Sequence, residues 1–321
     1  MKKARAFPHY PRQWKQQYRH MIGHFIVDIE FKTHLGGIHH WNSRHHRKGL
    51  GMDHHAHIEP SLSLTGFLQH LWSNFSHKSL AKTPIESIFN PLNFWIGLSF
   101  IIGASHFVFA SLLALSAMMS VTALTNLYFM GSIFFTIAAY LQYIQSINAG
   151  DFIRNKSTMN KSALHKKKYQ RKWLAWQPHR LDFWVTFSQF IGTLFFNLNT
   201  FSGYLALSDL QQSLFIWLPN LLGSLCFQLS GSLALYETSH QFWLWSPKSL
   251  EQKMAFINHF GCLFFLGSAF VSSSILQSLS PSMLPLSIVL TCLGGICFLC
   301  AAVLLCRESI QIQRTPLPHL P

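Results

Sequence analysis

Long apolar segments alternate with short polar ones through the last two thirds of the chain. Six of them reach the roughly 20 helical residues that cross the hydrocarbon core of a bilayer. They cover residues 93–115, 124–148, 183–206, 213–236, 255–278 and 284–306. Six such helices in succession would leave a soluble protein without a polar surface. The pattern therefore predicts an all-α, polytopic membrane domain at 91–310, after a polar head at 1–90 and before a short tail at 311–321.

A short glycine motif recurs in the second, fourth and sixth apolar segments. It reads GSIFF at 131–135, GSLCF at 223–227 and GGICF at 294–298. Each copy follows a shorter glycine motif upstream, at Gly103, Gly192 and Gly267. Repetition at this scale predicts one helical hairpin used three times. Because every hairpin is predicted to begin and end inside, the repeats should be parallel, around an axis along the membrane normal. We expect a quasi-threefold bundle of six helices.

The same motif predicts how the helices pack. Counted from its first glycine, positions 0, 1, 7 and 8 are small in every copy, and at about 100° per residue they share one helix face with the phenylalanine at position 4. Small residues let helix backbones approach closely in lipid. We interpret this face as a packing surface, with the lining of a substrate path as the open alternative. The residues are Gly131, Ser132, Phe135, Ala138 and Ala139; Gly223, Ser224, Phe227, Ser230 and Gly231; and Gly294, Gly295, Phe298, Ala301 and Ala302.

The basic residues set the predicted orientation. The chain has 25 Lys and Arg and a net charge of +14, with twelve of the basic residues before residue 93 and nine at 149–182. None lies in the loops at 116–123, 207–212 or 279–283. Because basic residues near helix ends stay in the cytoplasm, both termini are predicted to be cytoplasmic, in a bacterial inner membrane. The predicted partners are the lipid bilayer and anionic lipid at the basic 154–172 loop; homo-oligomerisation is left open, and nucleic acid is not expected.

Polar side chains inside the apolar segments are candidates for function, because burying them in lipid is costly. For the amides, hydrogen bonding between helices is the simpler interpretation. The two glutamates occupy equivalent positions in the second and third repeats, where the first repeat has Gln145. The candidates are His106, Asn197, Asn199, Gln228, Glu237, His259 and Glu308.

Four stretches around the middle and third repeats carry a family resemblance. They are FIGTLFFNLNT (190–200), WLPNLLGSLCFQLSGSLALYE (217–237), WLWSP (243–247) and FINHFGCLFFLGSAF (256–270). Over about residues 175–306 the chain resembles the YrhK-like bacterial integral membrane proteins. The resemblance implies a multi-pass membrane protein with no established activity. The chain departs from that pattern at Gly295, where serine is usual, and at Gln145, where the acidic residue is missing.

The head is rich in histidine, a residue type that suits zinc, copper or nickel. Residues 12–31 are predicted to form an amphipathic helix, on which the spacing i, i+4, i+8 would stack His20, His24 and Asp28 on one side. A second, irregular run at 39–57 is predicted to be a loop. The candidate metal ligands are His20, His24, Asp28, His39, His40, His45, His46, His54, His55 and His57. A cytosolic tail whose histidines contact water or lipid is the competing interpretation.

These patterns favour a non-enzymatic integral membrane protein of unassigned activity. The alternative is the binding or transport of a divalent transition metal through the head. A metal-dependent membrane oxidase is a weaker alternative, because only the HxxxH spacing at His20 and His24 matches the histidine boxes of such enzymes.

Residues 60–76 are predicted to form a second amphipathic helix, lying at the membrane interface or on the inner ends of the bundle.

Overall fold

The structure, a computed structural model, describes residues 15–32, 38–48, 86–149, 172–241, 246–280 and 282–314. The helix predicted at 60–76 and the basic loop at 154–172 lie outside these residues, apart from Lys172. The described part is mostly helical, and the predicted helical membrane domain is confirmed at this coarse level.

Six long helices form the main body of the described part of the chain. They are α2 (Glu86–Leu115), α3 (Val121–Ile147), α4 (Leu181–Ser202), α6 (Leu218–Ser239), α7 (Leu250–Val271) and α9 (Met283–Arg314). A short α5 (Asp209–Gln212) continues through a π-helical turn (Ser213–Trp217) into α6, and α8 (Ser274–Leu279) precedes α9. Serine side chains cap two of the long helices: Ser120 accepts from Ala123 N, and Ser249 forms a capping box with Gln252. Such caps satisfy backbone N–H groups that have no partner within the helix.

Among the residues that the structure describes, five helices are long and apolar enough to cross a membrane. They cover Leu92–Leu115, Val121–Ile147, Asp209–Ser239, Leu250–Val271 and Met283–Ile310. The third predicted segment, 183–206, corresponds to α4, which is not among the five because it carries many polar side chains. These are Asp182, Thr186, Ser188, Gln189, Thr193, Asn197, Asn199 and Thr200.

The six long helices form a closed ring in chain order, in which α2 contacts α3, α3 contacts α4, α4 contacts α6, α6 contacts α7, α7 contacts α9, and α9 returns to α2. The outer surface of this ring is apolar. Phe109, Leu229 and Phe270 are each about half exposed. A surface of this kind is what a helix bundle presents to lipid rather than to water.

Two glycines face each other in each of three helix pairs: α2 with α3, α4 with α6, and α7 with α9. A Cβ atom added to Gly103 would lie 3.0 Å from the carbonyl oxygen of Gly131, and one added to Gly192 would lie 3.0 Å from that of Gly223. In the third pair the partner of Gly294 is Gly261, whose added Cβ would lie 3.3 Å from the Gly294 carbonyl oxygen. The upstream glycine motif of the third repeat in the sequence is at Gly267 instead, and a Cβ added there would meet, among the described residues, Leu290 at 3.6 Å.

The centre of the bundle is filled by phenylalanine. Every one of the six facing glycines is followed four residues later by a buried phenylalanine. Neighbouring rings lie within 4.9–6.3 Å of each other between centroids, mostly in tilted or edge-to-face arrangements, which aromatic pairs prefer. The twelve small residues that the motif predicts on the packing face are all buried. We call the six rings the phenylalanine core; they are Phe107, Phe135, Phe196, Phe227, Phe265 and Phe298.

The head contains a sheet where the sequence predicted a helix. Strands β1 (Lys15–Ile22), β2 (Phe25–Lys32) and β3 (Ile38–Asn42) form an antiparallel sheet in the order β1-β2-β3. The amphipathic helix predicted at 12–31 is therefore wrong. Two local signals explain the difference: residues 25–32 alternate between buried and less buried side chains with a period of two, and Gly23, with φ +55°, turns the chain between β1 and β2.

Candidate functional site

A short helix brings cationic side chains from the head to one end of the bundle. Helix α1 (Ser43–Arg47) begins at Asn42, whose side chain accepts hydrogen bonds from Arg44 N and His45 N. It follows β3 directly, so the sheet fixes where it starts. The helix and Lys48 lie against the ends of the long helices that the sequence predicts to be cytoplasmic. Arg44, Arg47 and Lys48 are all buried there.

Three carboxylates of the bundle form ion pairs with these cationic side chains. Arg47 Nη2 donates to Glu237 Oε2 over 3.0 Å, and the Glu237 side chain is fully buried. Lys48 Nζ donates to Glu308 Oε2. Charge-assisted hydrogen bonds of this kind are stronger than neutral ones, and a buried charge is tolerated only when it is paired.

Glu251, at the start of α7, anchors the other side of α1. Its Oε1 lies 2.8 Å from His45 Nε2, and its backbone oxygen accepts from Arg44 Nη1 over 3.1 Å. Arg44 Nη2 also lies 3.7 Å from Glu308 Oε1. Three cations thus face three carboxylates, and the cluster is formally neutral.

The first hairpin contributes amides instead of a carboxylate. Gln145 Nε2 donates to Asn93 Oδ1 over 2.9 Å, and Asn93 Nδ2 reaches the backbone oxygen of Lys48 over 3.5 Å. Gln145, at the position that Glu237 and Glu308 occupy relative to the other two glycine motifs, is therefore linked to the head through Asn93 and the backbone oxygen of Lys48 rather than through a cationic side chain. The replacement of a glutamate by Gln145 in the sequence thus corresponds to a different kind of contact in the structure.

Burial and neighbouring charges change the pKa values of Arg44 and Lys48. Burial, together with the neighbouring Arg44 guanidinium, lowers the pKa of the Lys48 ammonium from its ordinary 10.5 to about 8, although Glu308 and Glu251 oppose the shift. Burial also acts to lower the pKa of Arg44, but Glu251, Glu308 and Glu237 outweigh it and raise that pKa above its ordinary value. Both groups are therefore charged at neutral pH, and each depends on the carboxylates.

A cavity of about 110 Å³ lies between α1 and the phenylalanine core. Arg44, Arg47 and Lys48 line it on the side of the head, and Phe298 lines it on the side of the core. Amide side chains form part of the wall between them, namely Asn93, Gln142, Gln145, Gln189 and Asn258. The cavity is therefore polar at the head and apolar toward the centre of the membrane domain.

The predicted histidine ladder does not form on a helix. His20 on β1 lies directly opposite Asp28 on β2, and His24 lies in the turn between the two strands, so the three side chains do not share a helix face. The His20 ring instead lies 4.3 Å from the ring of His240, which sequence reasoning did not select, and His240 Nε2 lies 3.8 Å from Asp28 Oδ2.

The remaining predicted metal ligands contact partners other than a shared metal site. His40 Nε2 lies 3.7 Å from Glu30, His45 contacts Glu251, and the His46 ring lies 5.5 Å from Trp41. The backbone of His39 belongs to β3. Within the residues that the structure describes, no three His, Cys, Asp or Glu side chains are grouped to hold a metal ion. His54, His55 and His57 lie outside those residues.

Several of the predicted intramembrane polar residues form hydrogen bonds within the bundle. His106 Nδ1 lies 2.8 Å from the Ile102 oxygen, and Gln228 Nε2 donates to Ser232 over 3.1 Å. Asn197 Nδ2 donates to Thr136 over 2.8 Å, which joins α4 to α3. His259 is buried on α7, and Asn199 is partly buried on α4. Glu237 and Glu308 are the two members of this set that reach the cationic cluster.

Sequence analysis did not identify the three cationic side chains Arg44, Arg47 and Lys48. It interpreted 39–57 as an irregular loop and selected only its histidines. One signal was available: Asn42 precedes Arg44 and Arg47, which is the order of a capping residue followed by charges one helical turn apart. What could not be deduced is the partner, because Glu237 and Glu308 are 190 and 260 residues away in the chain.

Comparison of the chain with family models, with curated proteins and with solved structures finds no match. What the site can do therefore follows from its own geometry and charges.

Proposed function

We propose that this chain is a non-enzymatic, YrhK-like protein of the bacterial inner membrane, in which a six-helix bundle holds the N-terminal head closed over its cytoplasmic end. The observation that carries the proposal is the pairing of Arg47 with Glu237 and of Lys48 with Glu308. Both carboxylates are nearly inaccessible to solvent. Ion pairs buried this deeply require the head to stay in place, because separating them leaves charges without partners.

The proposal includes α4 as a sixth membrane span, and the distribution of its side chains supports this. Leu194, Leu198 and Phe201 are exposed on its outer side. Its hydroxyl groups point inward: Thr193 donates to the Phe190 oxygen, and Thr200 to the Phe196 oxygen. An apolar exterior and a hydrogen-bonded interior suit a helix in lipid. We further propose that the three glycine-paired hairpins are parallel repeats and that both termini are cytoplasmic.

Reporter fusions test the six-span topology. An alkaline-phosphatase-type reporter, active only outside the cytoplasm, is expected to be active after Ser120, Asp209 and Pro281 and inactive after Lys167. The reason is that each outer turn lacks basic residues, whereas the 149–182 loop carries nine. An inactive fusion at Asp209 would contradict the proposal that α4 crosses the membrane.

Charge reversal tests whether the ion pairs hold the head. Lys48→Glu places a second carboxylate beside that of Glu308, so the amides of α1 are expected to exchange their hydrogens at least tenfold faster in nanodisc-embedded protein. Glu308→Lys is expected to do the same, because it brings a third cation next to Arg44 and Lys48. Combining both changes restores opposite charges and should recover much of the protection.

The matched control for this experiment is Lys32→Glu. It makes the same chemical change at an exposed lysine on β2, and α1 should remain protected. Equal exchange in the wild type, both single variants and the double variant would show that the pairs do not hold the head. Metal binding through the head remains a prediction of the sequence that no grouping of described residues favours.

A further inference from the structure

We propose that the cavity between α1 and the phenylalanine core binds a short-chain monocarboxylate. Its volume of about 110 Å³ sets the size of the ligand. A cavity of roughly 150 Å³ in another protein holds benzene, with six heavy atoms, so this one suits a molecule of about four to six. That limit excludes nucleotides, sugars and lipid tails as fully enclosed ligands.

The donor groups on the cavity wall call for a ligand rich in acceptors. Arg47 has five N–H donors and Lys48 has three. Among the described residues, each side chain makes a single hydrogen bond, to Glu237 and Glu308 respectively. The described lining contains no carboxylate, because the glutamates lie behind the cations. A negatively charged oxygen placed in the cavity is therefore closer to the cations than to the carboxylates.

Two buried polar atoms in this wall have no hydrogen-bond partner among the described residues. They are Arg44 Nε and Gln142 Oε1. The Arg44 side chain is only 7% exposed, so water outside the protein does not solvate it. Leaving buried polar groups unpaired has a free-energy cost for each of them. A carboxylate that accepts from Arg44 Nε removes one of these costs, because its two oxygens can contact Arg44 and a second cation together.

Apolar side chains also line the cavity. They include Phe100, Val185, Met254 and Ala302. Inorganic phosphate would turn one or more oxygens toward these side chains without a partner, which is unfavourable. A molecule with one carboxylate and a short alkyl chain matches both the cationic and the apolar parts of the lining. Propionate, with five heavy atoms, is the simplest probe of this class.

Competition binding on the full-length protein in nanodiscs tests the proposal. Labelled propionate is expected to bind saturably. Unlabelled propionate should displace it, whereas propionamide and inorganic phosphate should be at least tenfold weaker. Propionamide has the same shape but no charge, so it isolates the contribution of the cations. Absence of saturable binding, or equal displacement by propionate and propionamide, would overturn the proposal, and stronger displacement by phosphate would indicate a different class of ligand.

A variant pair locates the binding. Ala234 lines the cavity without joining an ion pair, and Ala234→Leu fills part of the space, so the affinity for propionate is expected to fall at least tenfold. Cys300→Leu, at an exposed position on α9, is the control and should bind as the wild type does. Unchanged affinity in Ala234→Leu would place the ligand elsewhere and overturn the assignment. If Ala234→Leu does not fold, the comparison of propionate with propionamide in the wild type decides the question.

Discussion

Replacing Phe227 with alanine is expected to lower the free energy of unfolding by about 3–5 kcal/mol. The Phe227 side chain is 3% exposed, and its ring centroid lies 4.9 Å from that of Phe196 and 5.9 Å from that of Phe298. Truncation leaves a cavity at the place where all three hairpins meet. The neighbouring rings are held by the facing glycines, so they cannot collapse into the space. Reversible unfolding in mixed micelles measures the change.

Phe109→Ala is the matched control for this prediction. Phe109 also lies on a long helix of the ring, α2, but 57% of its surface is exposed at the outside of the ring. Its truncation is expected to cost about 1 kcal/mol or less, because few protein contacts are lost. Similar losses for Phe109→Ala and Phe227→Ala would mean that the phenylalanine core does not hold the bundle together.

The second large effect is expected from Gly192→Ala. The new methyl group would lie 2.6 Å from Phe227 Cδ1 and 3.0 Å from the Gly223 carbonyl oxygen. Neither atom can move easily, since one belongs to a buried ring and the other to the helix backbone. The helices α4 and α6 must separate, and the free energy of unfolding is expected to fall by about 1–3 kcal/mol.

Gly267→Ala provides a control of opposite sign. Among the described residues, a methyl group there would meet Leu290, at an ordinary contact distance of 3.6 Å. Because alanine favours helix by about 1 kcal/mol over glycine, this variant is expected to be as stable as the wild type or slightly more stable. Thermal unfolding in detergent should separate the two variants by several degrees. Equal destabilisation of both would argue against the glycine pairing.

Much of the packing in the core of the bundle could be predicted from the sequence. The motif beginning at Gly131, Gly223 and Gly294 correctly predicts a buried packing face, since local composition decides which face of a membrane helix allows close approach. The upstream motif at Gly267 does not contain the glycine that faces Gly294. Gly103, Gly192 and Gly261 each precede a phenylalanine by four residues, and that shared spacing, rather than distance from the second motif, would have selected Gly261 over Gly267.

The head was harder to predict because two periodicities overlap in it. Apolar residues at helical spacing are present in 12–31, and the stripe through Tyr18, Met21, Phe25 and Ile29 favoured a helix. Burial follows the other pattern, with Val27, Ile29 and Phe31 on one face of β2. Gly23 was the deciding signal, since a positive φ between two short apolar runs marks a hairpin.

The sequence alone determined the number and length of the apolar segments, the small-residue faces and the uneven distribution of charge. These features depend on local composition and on the 3.6-residue period of a helix. Only the tertiary structure decided that Arg47 meets Glu237 and Lys48 meets Glu308, and that a cavity lies behind them. Those pairings join residues at least 190 positions apart. Their partners depend on how the sheet of the head docks on the ring of helices, which no local pattern specifies.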